Sequence, residues 1–251
     1  MAQPYRDRAL VVRRYDFNEA DRIIVLLTRE HGIVRAVAKG VRRAKSRFGS
    51  RLSPFIEVDV LVYPGRNLGT IAGADTVQTW APKIVSDVEA YTAACGILEV
   101  AQNLTLEPDP ALFDLTTRCL AQLTRIDPDM VVAAYLLQAM QHTGWAPSLF
   151  ACASCGKAGP HSAFDASRGG ALCTYCRTGG SGVETEVLRL MWHLSRLNFA
   201  DNHAVATIAE VAGVGEQDRE SGYLLSRARK LATAHLEYHL DRRIGALKMA
   251  L

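Results

Sequence analysis

Four of the six cysteines fall in two pairs, Cys152-Ala-Ser-Cys155 and Cys173-Thr-Tyr-Cys176, separated by seventeen residues. Each Cys-x-x-Cys turn aims two thiolates at one point, and a hairpin between the turns brings the points together. Four sulfurs then complete a tetrahedron around one soft cation. The spacing predicts a single structural zinc ion held by Cys152, Cys155, Cys173 and Cys176. Four protein ligands leave no position for water, so no chemistry at the metal is expected. Gly156 and the run Ser167-Arg-Gly-Gly-Ala-Leu172 supply turns for the hairpin. A redox dithiol is the alternative, but it needs only one pair, in a βαβ setting. Nucleobase deaminases also use paired cysteines; no His-x-Glu element precedes the pairs here, and Ala151 rather than proline stands before the first. His161 lies nearby and is left out of the ligand set. Cys95 and Cys119, among apolar neighbours, read as small core residues.

A second concentration of chemistry runs from Gly32 to Phe55. It holds Arg35, Lys39, Arg42, Arg43, Lys45, Arg47 and Arg51 and no acid, the nearest being Glu30 and Glu57. Charges this dense repel one another, and a polyanion is the simplest partner that neutralises them. A basic run is ordinarily no more than a solvated face. The asymmetry along the chain argues for more. Residues 1–80 carry 14 Lys and Arg against 8 Asp and Glu, and residues 81–251 carry 15 against 18, so the modest net charge of +3 conceals a basic N-terminal part. Tyr15, Phe17, Phe48, Phe55 and Tyr63 are aromatics that can stack bases, with Phe55 read more readily as core.

Two further motifs fail on inspection. Gly40-Val-Arg-Arg-Ala-Lys45-Ser46 lacks the second glycine and the spacing of a phosphate-binding P-loop. His235-Leu-Glu-Tyr-His239 places its Glu at the wrong position for a metalloprotease helix. No Ser/His/Asp set or carboxylate pair can be picked out, so a binding protein is expected rather than an enzyme.

The elements that must position these groups change period along the chain. Residues 9–15, 22–28, 33–39, 56–63 and 68–77 read as strands. In the fourth, Ile56, Val58, Val60 and Val62 alternate with Glu57, Asp59, Leu61 and Tyr63. Glu30-His31-Gly32 and Pro64-Gly65-Arg66-Asn67 read as turns. Five short strands with a long loop after the third predict a small OB-type barrel, with an SH3-like barrel as the alternative; the basic residues fall on a strand end and a mobile loop. After Trp80-Ala81-Pro82 the period becomes helical. Ser86-Asp-Val-Glu89 has the form of a capping box opening a helix to about Leu104. A second helix follows Pro110, and a third is capped by Asp127 with Pro128 at its first position and stops at Gly144. The chain is helical again from Val183, with a long segment from about Glu220 to Leu240. The expected fold is α+β and multidomain: an OB-fold DNA-binding domain over 1–80, then an α-helical domain over 81–251 interrupted by a zinc-binding hairpin at 150–180.

The length of 251 residues fits two or three small domains, and 49% apolar content is that of a globular chain. No run approaches the ~18 apolar residues that cross a bilayer. The N-terminus places charges where a signal peptide needs its apolar centre, so a cytoplasmic location without membrane contact is expected, with the six cysteines as reduced thiols or ligands.

Residues 9–55 closely resemble the N-terminal signature of the bacterial recombination and repair protein RecO. The resemblance is carried by Glu19-Ala-Asp21-Arg22-Ile23, Thr28, His31-Gly32, Ala38-Lys39-Gly40, Lys45-Ser46-Arg47, Leu52-x-Pro54-Phe55 and Gly65-Arg66-Asn67-Leu68. The helical middle, the four-cysteine hairpin and HLEYHLDRRIGALK at 235–248 are also similar to that family, in its zinc-containing form. Some members lack the cysteines, so zinc is expected to stabilise this chain without being required for the family's activity. The resemblance implies binding to single- and double-stranded DNA and annealing of complementary strands, at the nucleoid. It also implies work with RecR, and in some bacteria RecF, to load RecA onto DNA coated by single-strand-binding protein (SSB). An interaction with the acidic C-terminal tail of SSB is implied as well, usually on the helical domain. The two matched motifs add Arg22 and Arg66 to the seven basic residues as DNA-binding candidates. A second basic concentration (Arg227, Arg229, Lys230, Arg242, Arg243, Lys248) makes Arg227 and Lys230 candidates for SSB-tail or secondary DNA contacts. Two rival readings keep the same parts: an RNA-binding factor built from an OB barrel and a zinc ribbon, or a protein-interaction adaptor whose basic loop binds acidic peptides.

Overall fold

The computed structural model describes residues 3–178, 181–212 and 222–248. The chain divides into two compact units, residues 1–121 and 122–251.

The first unit begins with five strands: β1 (Tyr5–Phe17), β2 (Asp21–Thr28), β3 (Gly32–Ala38), β4 (Ile56–Tyr63) and β5 (Gly69–Thr79). They close a barrel in the order β1-β2-β3-β5-β4. The pairs are antiparallel except β3 with β5, which meet in parallel at Ala36–Gly69 and Val37–Thr70. That order, closed by a short parallel seam, is the OB-type Greek key and not the SH3-like alternative. β1 reaches both neighbours because it is long. Its register slips by one residue between Val11 and Arg13, the bulge that lets a strand bend around a small barrel. Ala9, Val11, Ile24, Leu26, Val58, Val60, Val62 and Ile71 fill the interior, as the alternation predicts. Glu57, on the other face of β4, is also buried, because the Arg8 guanidinium on β1 reaches across and donates to its carboxylate. The β2–β3 turn needs Gly32: its φ is +67°, and a Cβ there would stand 3.4 Å from the Pro108 nitrogen.

Residues 39–55 are an ordered coil. Arg43, Ser46 and Gly49 each donate a backbone hydrogen bond to the carbonyl three residues back, as do Arg51 and Ser53. Val41, Phe48 and Leu52 insert into the barrel core and fix the coil in place. The coil is thus pinned to the barrel at three side chains, and the assignment of Phe48 to base stacking is corrected, since its side chain is a core plug. Phe55 is core as well, edge-on to Tyr91 at 5.7 Å.

Three helices complete the unit: α1 (Ala81–Val85), α2 (Val88–Leu104) and α3 (Pro110–Gln122). α2 packs against β1, so its compact unit is shared with the barrel. Its cap is Asp87, whose carboxylate accepts from the Glu89 and Ala90 amides, and not Ser86, whose hydroxyl donates to the Lys83 carbonyl at the end of α1. The short α1, which the sequence did not resolve, draws Ser86 away from the capping role.

The second unit is built on α4 (Pro128–His142), with Asp127 as N-cap and Pro128 in the first turn as expected. α4 is apolar on all sides and buried along its length, and it packs against α5 (Thr185–Leu194) and α7 (Tyr223–Leu240). Gln138 on α4 donates to the Leu194 and Leu197 carbonyls at 3.0 Å, satisfying the exposed end of α5. α6 (Asn202–Val211) and α8 (Gly245–Lys248) are peripheral, and Glu220, the expected start of the long helix, lies outside the described residues. Between α4 and α5 runs a small sheet of β6 (Ala163–Asp165), β7 (Gly170–Leu172) and β8 (Ser181–Gly182), in the order β7-β6-β8.

Candidate functional site

The metal centre is assembled by backbone turns. The Cys152 amide donates to the Lys157 carbonyl at 2.8 Å and the Gly156 amide returns to the Cys152 carbonyl, closing the first knuckle. In the second, Cys176 and Arg177 donate to the Cys173 carbonyl. β6 and β7 carry the chain from one knuckle to the other. Gly170 is required there: φ is +136°, and a Cβ would lie 2.3 Å from the Ser148 carbonyl oxygen. The four sulfur atoms all lie within 4.8 Å of one another, with Cys155 Sγ 3.8 Å from Cys173 Sγ. A tetrahedron with ~2.3 Å metal–sulfur bonds has edges of about 3.8 Å, so the donor set fits one thiophilic cation. Electrostatics point the same way. The Cys173 amide donates to Cys152 Sγ at 3.4 Å and draws that thiol down to about 6, and the Cys176 amide lowers Cys173. The neighbouring sulfurs of Cys155 and Cys173 press Cys176 up to about 12. Four sulfurs this close resist full ionisation until a cation joins them. His161 is not part of this group: it is buried and its Nε2 donates to the Lys157 carbonyl.

The basic interface sits on the barrel. Arg35, Lys39, Arg42, Arg43, Lys45, Arg47, Arg51 and Arg66 are all exposed, and Arg22 is half-buried. Arg22 and Arg42 share one carboxylate, Asp16: Arg22 Nε donates to its Oδ1 at 2.8 Å and Arg42 Nη1 lies 3.6 Å from its Oδ2. Among the described residues the other seven have no carboxylate partner. The coil that carries five of these is nevertheless positioned, since Phe48 and Leu52 anchor it and the Arg47 guanidinium lies 4.8 Å over the Phe48 ring. Of the aromatics, Tyr15, Phe17 and Tyr63 stay exposed on the barrel surface. Residues 81–121 of the same unit are acidic, with two basic residues against six acids. Sequence reasoning missed Arg14 and Asp16. Their signal is visible only after β1 and β2 are paired, when Asp16 falls opposite Arg22.

The second basic concentration is not one surface. Arg229 is buried, paired to Asp129 on α4 at 2.5 Å and donating to the Leu247 carbonyl. Arg227 is half-buried and donates to the Gly182 carbonyl at 3.1 Å, beside the metal hairpin, whereas Lys230 is exposed. A different feature of this unit escaped the sequence: a half-open cavity of about 340 Å³ lined by Leu137, Pro147, Phe150, Trp192 and Arg196. Phe150 meets Trp192 edge-on at 5.2 Å and Arg196 lies 4.6 Å over the Trp192 ring, so a cation rims an aromatic floor.

No helix of the described chain is long and apolar enough to cross a membrane. Compared with known protein families, residues 1–80 match the N-terminal domain of recombination protein O and residues 85–248 match its C-terminal domain. An OB-type barrel with an exposed basic coil, a helical unit carrying a four-sulfur metal site, and two family matches over nearly the whole length agree: the chain belongs to the recombination protein O family, whose members mediate DNA recombination and repair.

Proposed function

We propose that this protein is a RecF-pathway recombination mediator that binds single- and double-stranded DNA on the basic barrel face and anneals complementary strands without a catalytic step. The observation that carries the reading is the basic coil: Lys39, Arg43, Lys45, Arg47 and Arg51 are exposed, lack acid partners among the described residues, and are held on a core-anchored backbone. Complementary strands repel through their phosphates, and a surface that neutralises both lowers that cost. Contacts to phosphate carry no sequence information, so binding is sequence-tolerant. Tyr15, Phe17 and Tyr63 add stacking for single strands. Five phosphate contacts give a salt slope of roughly −3.5 on single strands, about 100-fold weaker binding from 50 to 200 mM salt. With RecR, and with RecF where present, the protein helps load RecA onto SSB-coated DNA.

The acidic SSB tail docks on the helical unit, and the cavity beside Phe150, Trp192 and Arg196 suits an acidic peptide with an apolar end better than Arg227, which is already engaged. The ion in the four-cysteine site is one Zn²⁺, and its role is structural, since all four positions are filled by sulfur.

The test is annealing of two complementary fluorescent oligonucleotides across a salt series, with and without SSB, beside a variant with Arg42, Arg43, Lys45 and Arg47 made alanine. Acceleration that fades with salt and drops in the folded variant is expected. No acceleration at any salt removes the annealing reading. Preference for RNA of equal length would favour an RNA-binding factor, and weak DNA binding beside tight binding of the SSB tail would favour an adaptor.

A further inference from the structure

We propose that Arg14, Arg22 and Arg42 form a clip for a single backbone phosphate, and that Asp16 keeps the clip assembled in the free protein by standing where the phosphate will bind. The proposal rests on the DNA-binding reading above and adds to it a subsite and two residues, Arg14 and Asp16.

The geometry is that of a shared anion. The two carboxylate oxygens of Asp16 face different guanidinium groups, Arg22 at 2.8 Å and Arg42 at 3.6 Å. Arg14 lies two residues earlier on β1, hence on the same face of the strand, and its Nη1 donates to Ser53 Oγ at 3.2 Å, at the far end of the basic coil. Its charge also acts on Asp16, whose carboxyl is held below its usual range chiefly by the Arg22 hydrogen bond. Two guanidinium groups at one carboxylate, with a third on the same strand face, leave an excess of positive charge at this point.

The backbone beneath the clip is fixed. The Arg42 amide donates to the Ala20 carbonyl at 3.0 Å and the Gly40 amide to Asp21 Oδ1 at 2.7 Å, which ties the start of the coil to the β1–β2 hairpin. The Arg42 backbone is therefore held next to the strand that carries Arg22. Asp16 can leave: its side chain is 59% exposed, so turning it into water costs little desolvation and gives up only surface ion pairs. A phosphodiester brings the same single charge with acceptor oxygens that match guanidinium forks. Exchange of one anion for the other spares the arginines the repulsion they would feel with the site bare.

Asp16→Asn removes the competing charge and keeps the side-chain shape. Single-strand affinity, followed by fluorescence anisotropy of an oligothymidylate, is expected to rise about fivefold, the scale of one exposed ion pair that no longer competes. Glu19→Gln removes the same charge three residues away on the exposed hairpin tip and is expected to change affinity by less than about twofold, the effect of distance and screening. In a background of Arg22→Ala and Arg42→Ala the gain from Asp16→Asn disappears. Arg14→Ala weakens binding and flattens the salt slope by about 0.7. Weaker binding in Asp16→Asn, or equal gains from Asp16→Asn and Glu19→Gln, overturns the proposal. A second readout separates it from the DNA reading: the arginine Nε–Hε resonances of the wild-type protein during titration with oligothymidylate and with inorganic pyrophosphate. Oligonucleotide binding without movement of Arg14, Arg22 and Arg42 removes the clip and leaves the DNA reading standing. Movement with pyrophosphate in a protein that binds no oligonucleotide keeps the clip and removes the DNA reading.

Discussion

His235 shows how a single side chain ties stability to pH. It is buried on α7, its Nε2 donates to the Trp145 carbonyl at 2.9 Å, and the Phe164 and His239 rings close around it. Burial lowers its pKa from 6.5 to about 4, because imidazolium would lose water while its Nδ1 finds neither an acceptor nor a counter-charge. The unfolded chain therefore takes up a proton near pH 6.5 while the folded one waits until about pH 4. Stability is complete above 6.5 and falls across that window as pH drops. Chemical unfolding of the wild type and His235→Gln at pH 7 and at pH 4.5 is expected to show the gap between them narrowing by about 2 kcal/mol at the lower pH, after allowing for screening by solvent. A gap independent of pH would show that His235 is not the group responsible. The His-x-x-x-His spacing was legible in the sequence. Its meaning was not, because Trp145 and Phe164 come from distant parts of the chain.

At the scale of elements, the coil after β3 and the helix α7 carry two different fates for basic residues. In the coil the charges face water while Phe48 plugs the core, so removing Phe48 takes away no charge and still undoes the arrangement. Phe48→Ala is expected to lower the unfolding free energy of the first unit by about 3 kcal/mol and to speed tryptic cleavage between Arg42 and Arg51. Unchanged cleavage would mean that the coil holds itself. In α7 the neighbours Arg229 and Lys230 diverge. Arg229→Ala removes a buried guanidinium from the half-exposed Asp129 and leaves the Leu247 carbonyl without its donor, which is expected to cost about 2 kcal/mol, whereas Lys230→Ala is within ~0.5 kcal/mol of wild type; thermal melts of the two variants check the contrast. The five strands were legible because β-strand burial has a period of two, and the knuckles because metal spacing is local; the true length of β1, Tyr5–Phe17 against an expected 9–15, was not, because its ends are set by pairing with two neighbours. The order of the coil, the buried Glu57 and the buried Arg229 were not, because each depends on a partner 49 or more positions away, or on an apolar plug whose socket is the closed barrel.

At the scale of the molecule, the metal site and the basic face lie in different compact units. A metal held there is expected to stabilise the unit that carries it. Calorimetry of the zinc-loaded protein is expected to show the transition of the second unit falling by on the order of 10 °C with a strong chelator, since metal binding energy is folding energy for its hairpin. Oligonucleotide affinity at a temperature below both transitions is expected to hold. Loss of DNA binding on chelation at such a temperature would assign the metal a direct part in the activity. Family membership was legible from the N-terminal block together with the knuckles, and the two family matches part where the strands give way to helices, at residues 80 and 85, although by packing α1–α3 group with the barrel.

That sharing has an electrical consequence. The barrel residues 1–80 carry a surplus of six positive charges and the helical residues 81–121 a surplus of four negative ones, all within one compact unit. The unit is thus a dipole, and a polyanion approaching at low ionic strength exerts a torque on it before any contact is made. The acidic helices turn away while the barrel turns toward the strand, so a larger share of encounters begin in a productive orientation. Salt abolishes that alignment over distances beyond about 10 Å at 0.1 M. Added salt is therefore expected to slow association more steeply than it speeds dissociation. A variant with the acids of α2 and α3 neutralised would associate with less dependence on salt, even though none of its changes touches the strand.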